Sequence, residues 1–467
     1  MECSVVTEGQ LRGSEERARL LIDCTQTMKT PSTTGIQRVV GNLVKHGWAA
    51  SQQHGIELVP LRFEGGFFER APMTKNGELL VPALRKGNGV FPRFRKRMQK
   101  IFFGRSMRRR LEQVKRFLPA VTSAANRFRF RSSDILFLPD SSWAEPMWTE
   151  IDHAIEAGVV LGVLQHDFIP LRHPEWVSDD CPAIFERWVA ESLSRADFVL
   201  GVSETIAQEC REELRKLNRE QVAEHRVRAC LNGADFKAIG ASSKVRPEIH
   251  RFITGAAVGP YLTVGTIEPR KNQRLLSEIF DTVFDAVPHA RFLIAGIVGW
   301  EGKAIADRIR KHPRYGENIL LVTDMSDAEL TFAYQHAKAV VFPSLAEGYG
   351  LPIAESIARG TRVFASNIPV HREIGGAYCV YFDPHDARAL AGLLVGDSKG
   401  ERFAAVWPPV DFRLPTWKAA AETMVETSLE MARTLRSDRM STRTREHQSH
   451  LRGIHTSPMP RIEKISS

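Results

Sequence analysis

Two carboxylates eight positions apart, Glu347 and Glu355, flank the run Gly348, Tyr349, Gly350, Leu351 and Pro352. A carboxylate accepts two hydrogen bonds at once, which suits the paired hydroxyls of a ribose or a hexose. The two glycines leave the main chain free of Cβ atoms where it enters a helix, so backbone N–H groups can approach an anion closely. Pro352 falls where a first helical residue should be, because its missing N–H has no partner there in any case, and Gly360 supplies a stop. The apolar, β-branched run Ala339–Phe342 just before the loop reads as a parallel strand covered on both faces. Strand, glycine loop and helix outline a diphosphate or sugar site; the bland alternative is two solvated glutamates beside a tight turn.

Three further groups stand where strands end. Arg270 and Lys271 follow the strand YLTVG and the loop residues from Thr266. Lysine offers a phosphate a point charge and arginine a planar fork, although by default such a pair is solvated surface. His166 and Asp167 close the strand VVLGVLQ, where open α/β sheets place ligand contacts. Ser32, Thr33, Thr34 and Gly35 lead into a helix whose Ile36, Val39, Val40, Leu43 and Val44 recur at helical spacing, with Arg38 in its first turn.

The pattern E-G-Y-G-L-P-I-A-E resembles the Glu-x7-Glu signature of the retaining glycosyltransferases of family 4. That resemblance implies that Glu355 binds the nucleotide's ribose, that Glu347 contacts the donor sugar, and that Gly348, Tyr349, Gly350 and Leu351 line the donor. The segment G-T-x-E-P-R-K-N resembles the family's phosphate-binding loop, with Lys271 and Arg270 as its cations. Thr266 stands where many members carry arginine, a charge that Arg270 would then supply. H-D-x-I-P implies a histidine, His166, next to the donor sugar. T-G-I-x-R-V implies that Gly35 and Arg38, together with Asp167, face the cleft on the acceptor side. The expected catalytic set is Glu347, Lys271 and His166.

Alternating strands and helices in both halves imply an α/β protein of the GT-B type, two doubly wound Rossmann-like domains facing across a cleft. The expected order is a loose stretch 1–18, an N-terminal domain 19–240 with a basic amphipathic insertion 91–132, and a linker 241–258. A nucleotide-sugar domain 259–412 follows, then a helix 413–435 that in the family crosses back to the first domain, then a polar, disordered tail 436–467. A chain of 467 residues is too long for one ordinary core. Its 43% hydrophobic and 25% charged residues are those of a globular protein, and no apolar run is long enough to span a bilayer. The first residues lack the basic and apolar regions of a signal peptide. Six scattered cysteines without Cys-x-x-Cys spacing argue against a zinc site and fit a reducing cytoplasm. The net charge of +9 points to anionic partners.

The resemblance implies transfer of a hexose, first mannose from GDP-mannose and second a UDP-hexose, to a saccharide acceptor carried on a polyprenyl diphosphate lipid. No cofactor and no metal are expected, since no Asp-x-Asp occurs in the chain to hold a divalent ion on the diphosphate. The arm 91–131 mixes arginines and lysines with aromatic residues, as a helix lying on an anionic membrane surface does. The expected location is therefore cytoplasmic, at the inner face of the cell membrane. A sugar-nucleotide epimerase of the same fold is an alternative enzyme, and a nucleic-acid-binding protein using the arm is the non-enzyme alternative.

Overall fold

The computed structural model describes residues 17–29, 35–81, 127–235, 245–403, 405 and 414–454. Two sheets organise them. The first contains β1 (Arg19–Asp23), β2 (Glu57–Glu64), β3 (Phe67–Arg70), β4 (Ile135–Leu138), β5 (Val160–Gln165), β6 (Phe198–Gly201) and β7 (Val227–Ala229), in the order β3-β2-β1-β4-β5-β6-β7. Only β3 runs antiparallel to its neighbour. The central strands β1, β4, β5 and β6 are buried along their whole length, as apolar strands covered on both faces must be.

The second sheet is wholly parallel: β8 (Tyr261–Val264), β9 (Phe292–Ala295), β10 (Ile319–Val322), β11 (Ala339–Phe342), β12 (Val363–Ser366) and β13 (Cys379–Phe382), in the order β10-β9-β8-β11-β12-β13. In each sheet the chain runs one way from the first strand and then returns to its other side. The crevices between β8 and β11, and between β1 and β4, are therefore switch points where the following loops part and leave room for a ligand. This is the GT-B arrangement of two Rossmann-like domains.

Caps fix the connecting helices. Ser203 Oγ accepts from the Ile206 N–H ahead of Glu204–Lys216, and Ser326 forms a reciprocal capping box with Glu329 ahead of Asp327–His336. Asn272 adopts a left-handed conformation, and its amide donates to the Pro343 and Pro384 carbonyls, tying the turn after β8 to the ends of β11 and β13.

Two expected boundaries differ. The linker 241–258 contains a helix, Pro247–Thr254, whose Ile249, Phe252 and Ile253 join Leu262, Tyr334 and Val340 in one core cluster of the second domain. A polar run hid three apolar residues on one face. The tail from 436 is not disordered in its first part, because the helix that begins at Trp417 continues to Ile454. Its first half buries Ala420, Ala421, Met424, Val425, Leu429, Ala432 and Leu435, and Met424 and Val425 approach Gly47 of the helix Gly35–Gln53 in the first domain. Further along, Arg436 donates to the Ser132 and Asp134 carbonyls, and Arg439 and Asp438 pair with Asp197 and Arg226. These contacts carry the helix past the end of its apolar stripe. Residues 455–467, the stretch 1–16 and positions 91–126 of the basic insertion lie outside the described residues; of the insertion, Phe128 packs beneath the Arg19 guanidinium at the sheet.

Candidate active site

The loop between β11 and the helix Leu351–Ile357 lies against the turn that follows β8. Lys271 Nζ is 2.5 Å from Glu347 Oε1, and Arg270 reaches Glu347 Oε2 at 3.0 Å. The same guanidinium donates to the Ala346 carbonyl and pairs with Glu268, while the Leu345 N–H donates to the Arg270 carbonyl. Two cations and a carboxylate, each less than one fifth exposed, thus share the β8/β11 crevice. Burial opposes the charge on Glu347, but Lys271 and Arg270 overcome it and hold its carboxyl at about 2. Burial pushes the Lys271 ammonium below the ordinary lysine value, and Glu347 pulls the other way.

Glu355, one turn into the helix, is 1% exposed. Its Oε2 accepts from the Tyr334 hydroxyl at 2.8 Å, and Arg38 of the first domain lies 2.6 Å from Oε1. Burial raises its pKa while Arg38 opposes the shift. The expected acceptor-side residue Arg38 and the expected ribose residue Glu355 are therefore partners across the domains, with Gly35 exposed at the start of Arg38's helix.

Gly348 sits where the domains meet. A Cβ there would fall 1.8 Å from the His166 carbonyl oxygen, so no other residue fits without moving the backbone. The Ser203 hydroxyl donates to the Gly348 carbonyl, and Tyr349, 5% exposed, donates its phenol proton to the Asn232 carbonyl at 2.7 Å. Tyr349 is thus an interdomain anchor through its side chain. Glu373 completes the contact: its carboxylate accepts from the Glu204 and Thr205 N–H groups at the start of the helix Glu204–Lys216 and from the Thr205 hydroxyl. A carboxylate at a helix N-terminus meets unpaired N–H groups and a favourable dipole. Gly350, at φ 91°, turns the chain into the helix, and Leu351 packs on the core beside it.

His166 has its Nε2 2.7 Å from the Pro139 carbonyl, and burial keeps the ring neutral by lowering its pKa. Asp167 caps the turn that follows, accepting from the Ile169 N–H, and its charge helps to keep Arg270 protonated. Thr266 stands in the same turn after β8 as Arg270 and Lys271; its carbonyl accepts from the Gln273 amide, and its methyl faces Gly299. The structure therefore brings Arg270, Lys271 and Glu347 into direct contact, sets His166 and Asp167 against Gly348, pairs Arg38 with Glu355, and leaves Thr266 and Gly35 at the margins.

Sequence reasoning missed Tyr334, Asn232, Glu373 and His371, and read Ser203 only as the helix cap that it also is. The segment S-N-I-P-V-H-R-E after β12 was the available signal for Glu373 and His371, since it follows the strand next to β11 and so borders the same crevice. Among the described residues no group of three or more His, Cys, Asp or Glu is placed to hold a metal ion.

Residues 259–394 match the family model described as glycosyl transferases group 1. The serotype-specific mannosyltransferase WbdA of Escherichia coli is 26% identical over 309 residues, 64% of this chain and 37% of that protein. The O-antigen chain mannosyltransferase B of Escherichia coli is 28% identical over 231 residues, 49% of this chain and 59% of that protein. The chain thus spans less than two thirds of the length of these relatives. Among solved structures, sucrose-phosphate synthase from Thermosynechococcus elongatus superposes with a TM-score of 0.53 at 16% identity, covering 91% of this chain and 100% of that one. Trehalose-6-phosphate synthase OtsA gives 0.53 at 13%, covering 90% and 98%; at such identities the likeness concerns the fold. With the crevice residues Lys271, Arg270, Glu347 and Glu355 all inside the matched span, the chain carries a glycosyl transferases group 1 domain at residues 259–394, the second half of a GT-B fold.

Proposed function

We propose that this chain is a retaining glycosyltransferase that moves a hexose, first mannose from GDP-mannose, to a saccharide acceptor in glycan assembly. The observation that carries the reading is the buried Lys271–Glu347–Arg270 cluster at the β8/β11 crevice, opposed by His166 and Asp167 of the other domain. As the bond between sugar and phosphate loosens, negative charge grows on the diphosphate and positive charge on the ring. Lys271 and Arg270 meet the first in a site that largely excludes water, where fixed charges act strongly. Glu347 orients the sugar hydroxyls, and the neutral His166 ring holds the loop that faces them. The acceptor hydroxyl then attacks the anomeric carbon from the face the diphosphate leaves, and its proton passes to the departing phosphate oxygen as the sugar–phosphate bond breaks. The two cations supply the charge that a divalent ion would otherwise bring, so the reaction runs without a metal.

Mannose is preferred because the relatives named above are mannosyltransferases. The acceptor is placed on a polyprenyl diphosphate lipid, and the arm 91–131 on the anionic inner leaflet that would carry it. Charge reversal at Arg108, Arg109 and Arg110 tests the arm: release from anionic vesicles is expected, and unchanged binding rejects its role. The reading as a whole is tested by measuring nucleotide diphosphate release from GDP-mannose and from UDP-hexoses, with saccharide acceptor and excess EDTA. The expected outcome is acceptor-dependent GDP release that Lys271→Ala lowers by about 10²-fold or more. Activity abolished by EDTA and restored by magnesium would show that the phosphate site is misread. No release from any donor would reject the reading altogether.

A further inference from the structure

His371 is fully buried. It belongs to the short helix Pro369–Gly375 after β12. Its Nδ1 lies 2.9 Å from Ser366 Oγ and 3.0 Å from the Ser366 carbonyl. Ser366 gives its one hydroxyl proton to the Ser344 carbonyl, so both Ser366 oxygens face Nδ1 as acceptors. That pattern assigns the proton to Nδ1 and leaves a bare lone pair on Nε2. Among the described residues Nε2 has no hydrogen-bond partner. A buried nitrogen without a partner is costly, and folded proteins rarely keep one without a use.

Its surroundings give it a use. The ring packs on Phe342 with centroids 5.0 Å apart, and Lys271 Nζ lies 5.3 Å from the centroid of the same phenylalanine. A Cβ at Gly350 would stand 3.4 Å from Cδ2 and 3.8 Å from Nε2, so the imidazole lies directly beneath the turn of the donor loop. The charged groups that act on it are Glu347 of that loop and Lys271 of the turn after β8, with Arg270 beyond Glu347. From β12 it meets the Ser366 hydroxyl, and from β13 the Tyr381 phenol, which donates to the His371 carbonyl.

Glu347 pairs with both cations. A diphosphate in the crevice competes for them, and a buried carboxylate that loses a cationic partner needs another. We propose that His371 is a positioning residue of the donor site that takes up one proton from solvent at Nε2 when a nucleotide sugar binds, supplying beside Glu347 the positive charge that the diphosphate draws away. No bond of the donor changes in this step. The inference rests on the donor-site reading above. Burial lowers the free ring to about 4, against the pull of Glu347, so it is neutral before binding at ordinary pH. Binding that takes up a proton tightens as pH falls, until the free imidazole itself protonates.

The test is titration calorimetry of the full chain with GDP-mannose and with UDP-glucose, whose diphosphate diesters do not titrate between pH 5 and 7.5, in buffers of different ionisation enthalpy. Wild type is expected to take up a substantial fraction of a proton per bound donor near pH 6, and to bind several-fold more tightly for each unit of falling pH. His371→Gln, checked for folding by its melting curve, is expected to bind more weakly with no uptake and a flat pH profile. Nitrogen NMR of the wild-type side chain gives a second readout that needs no variant: Nε2 moves from lone-pair to protonated on adding donor. Donor binding without uptake in wild type, an unchanged Nε2 signal, or equal uptake in His371→Gln overturns the role of His371 and leaves the donor site standing. Failure of both nucleotide sugars to bind overturns the donor site and this role together.

Discussion

Glu347 and Glu355 share one loop and helix but meet different neighbours, and their losses should differ. Glu347 stands between Lys271 and Arg270, and under the proposed function it meets the donor's sugar, so Glu347→Ala is expected to misplace the ring and lower kcat by about 10²-fold or more, with free nucleotide still bound. Glu355 lies between Tyr334 and Arg38, away from those cations, so Glu355→Ala is expected to raise the donor KM with kcat changed much less. A charged hydrogen-bond set contributes roughly 1.5 to 3 kcal/mol, or about 10- to 100-fold in KM. Equal loss of free-nucleotide affinity in both variants, measured by calorimetry, would show that the two glutamates do not divide the donor between them. These residues were legible in the sequence because glycines, a proline and carboxylates recur at fixed spacing in one loop. The pairing of Arg38 with Glu355 was not, since it joins positions more than three hundred residues apart and depends on how two domains face each other. His371 was missed for a related reason: the segment after β12 places it beside the crevice, but only burial shows that its Nε2 lacks a partner among the described residues.

The strand ends of the first sheet hold a second pair of acids. Asp23 closes β1 and accepts from the Thr25 N–H and hydroxyl and the Ser142 hydroxyl; Asp140, just past β4, accepts from the Thr27 and Ser141 N–H groups. Burial, then the neighbouring charge of Asp23, pushes Asp140 up to about 7, and burial also raises Asp23. A carboxyl whose folded pKa lies above its unfolded value binds more protons in the folded state between those two values. Its contribution is therefore full near pH 4 and is lost as pH rises through 7. The part of the melting temperature that depends on Asp140 is expected to climb as pH falls from 7.5 to 5, so Asp140→Asn should show a flatter pH profile than wild type. A parallel shift of both curves would remove Asp140 as the cause. At this scale the alternating strands and helices were readable from apolar runs and caps, because a doubly wound sheet buries whole strands. The helix Pro247–Thr254 and the extension of the last helix to Ile454 were not, since contacts from elsewhere in the chain stabilise sequences that look polar on their own.

Across the whole molecule, the two domains touch through the loop that also lines the β8/β11 crevice. Glu373 caps a first-domain helix, Ser203 holds the Gly348 carbonyl, and Tyr349 reaches Asn232. Removing the most exposed of these, by Glu373→Ala, leaves the Glu204 and Thr205 N–H groups to water. The expected result is a small loss of melting temperature with a larger scattering radius for the unliganded chain, as the halves separate more often. An unchanged radius would mean that the other contacts hold the pair without it.

Gly348 has a consequence in time as well as in space. A Cβ there would fall 1.8 Å from the His166 carbonyl oxygen, so the two domains meet at this loop with no room for a side chain between them. If the proposed donor enters behind this loop, it is expected to bind first and the acceptor second, with the spent nucleotide leaving when the halves part. Initial rates should obey a compulsory order, with the nucleotide diphosphate competitive against the donor and noncompetitive against the acceptor. If parting the halves sets the pace, turnover should also slow in proportion to solvent viscosity. A random-order pattern of inhibition would mean that the passage stays open throughout the cycle.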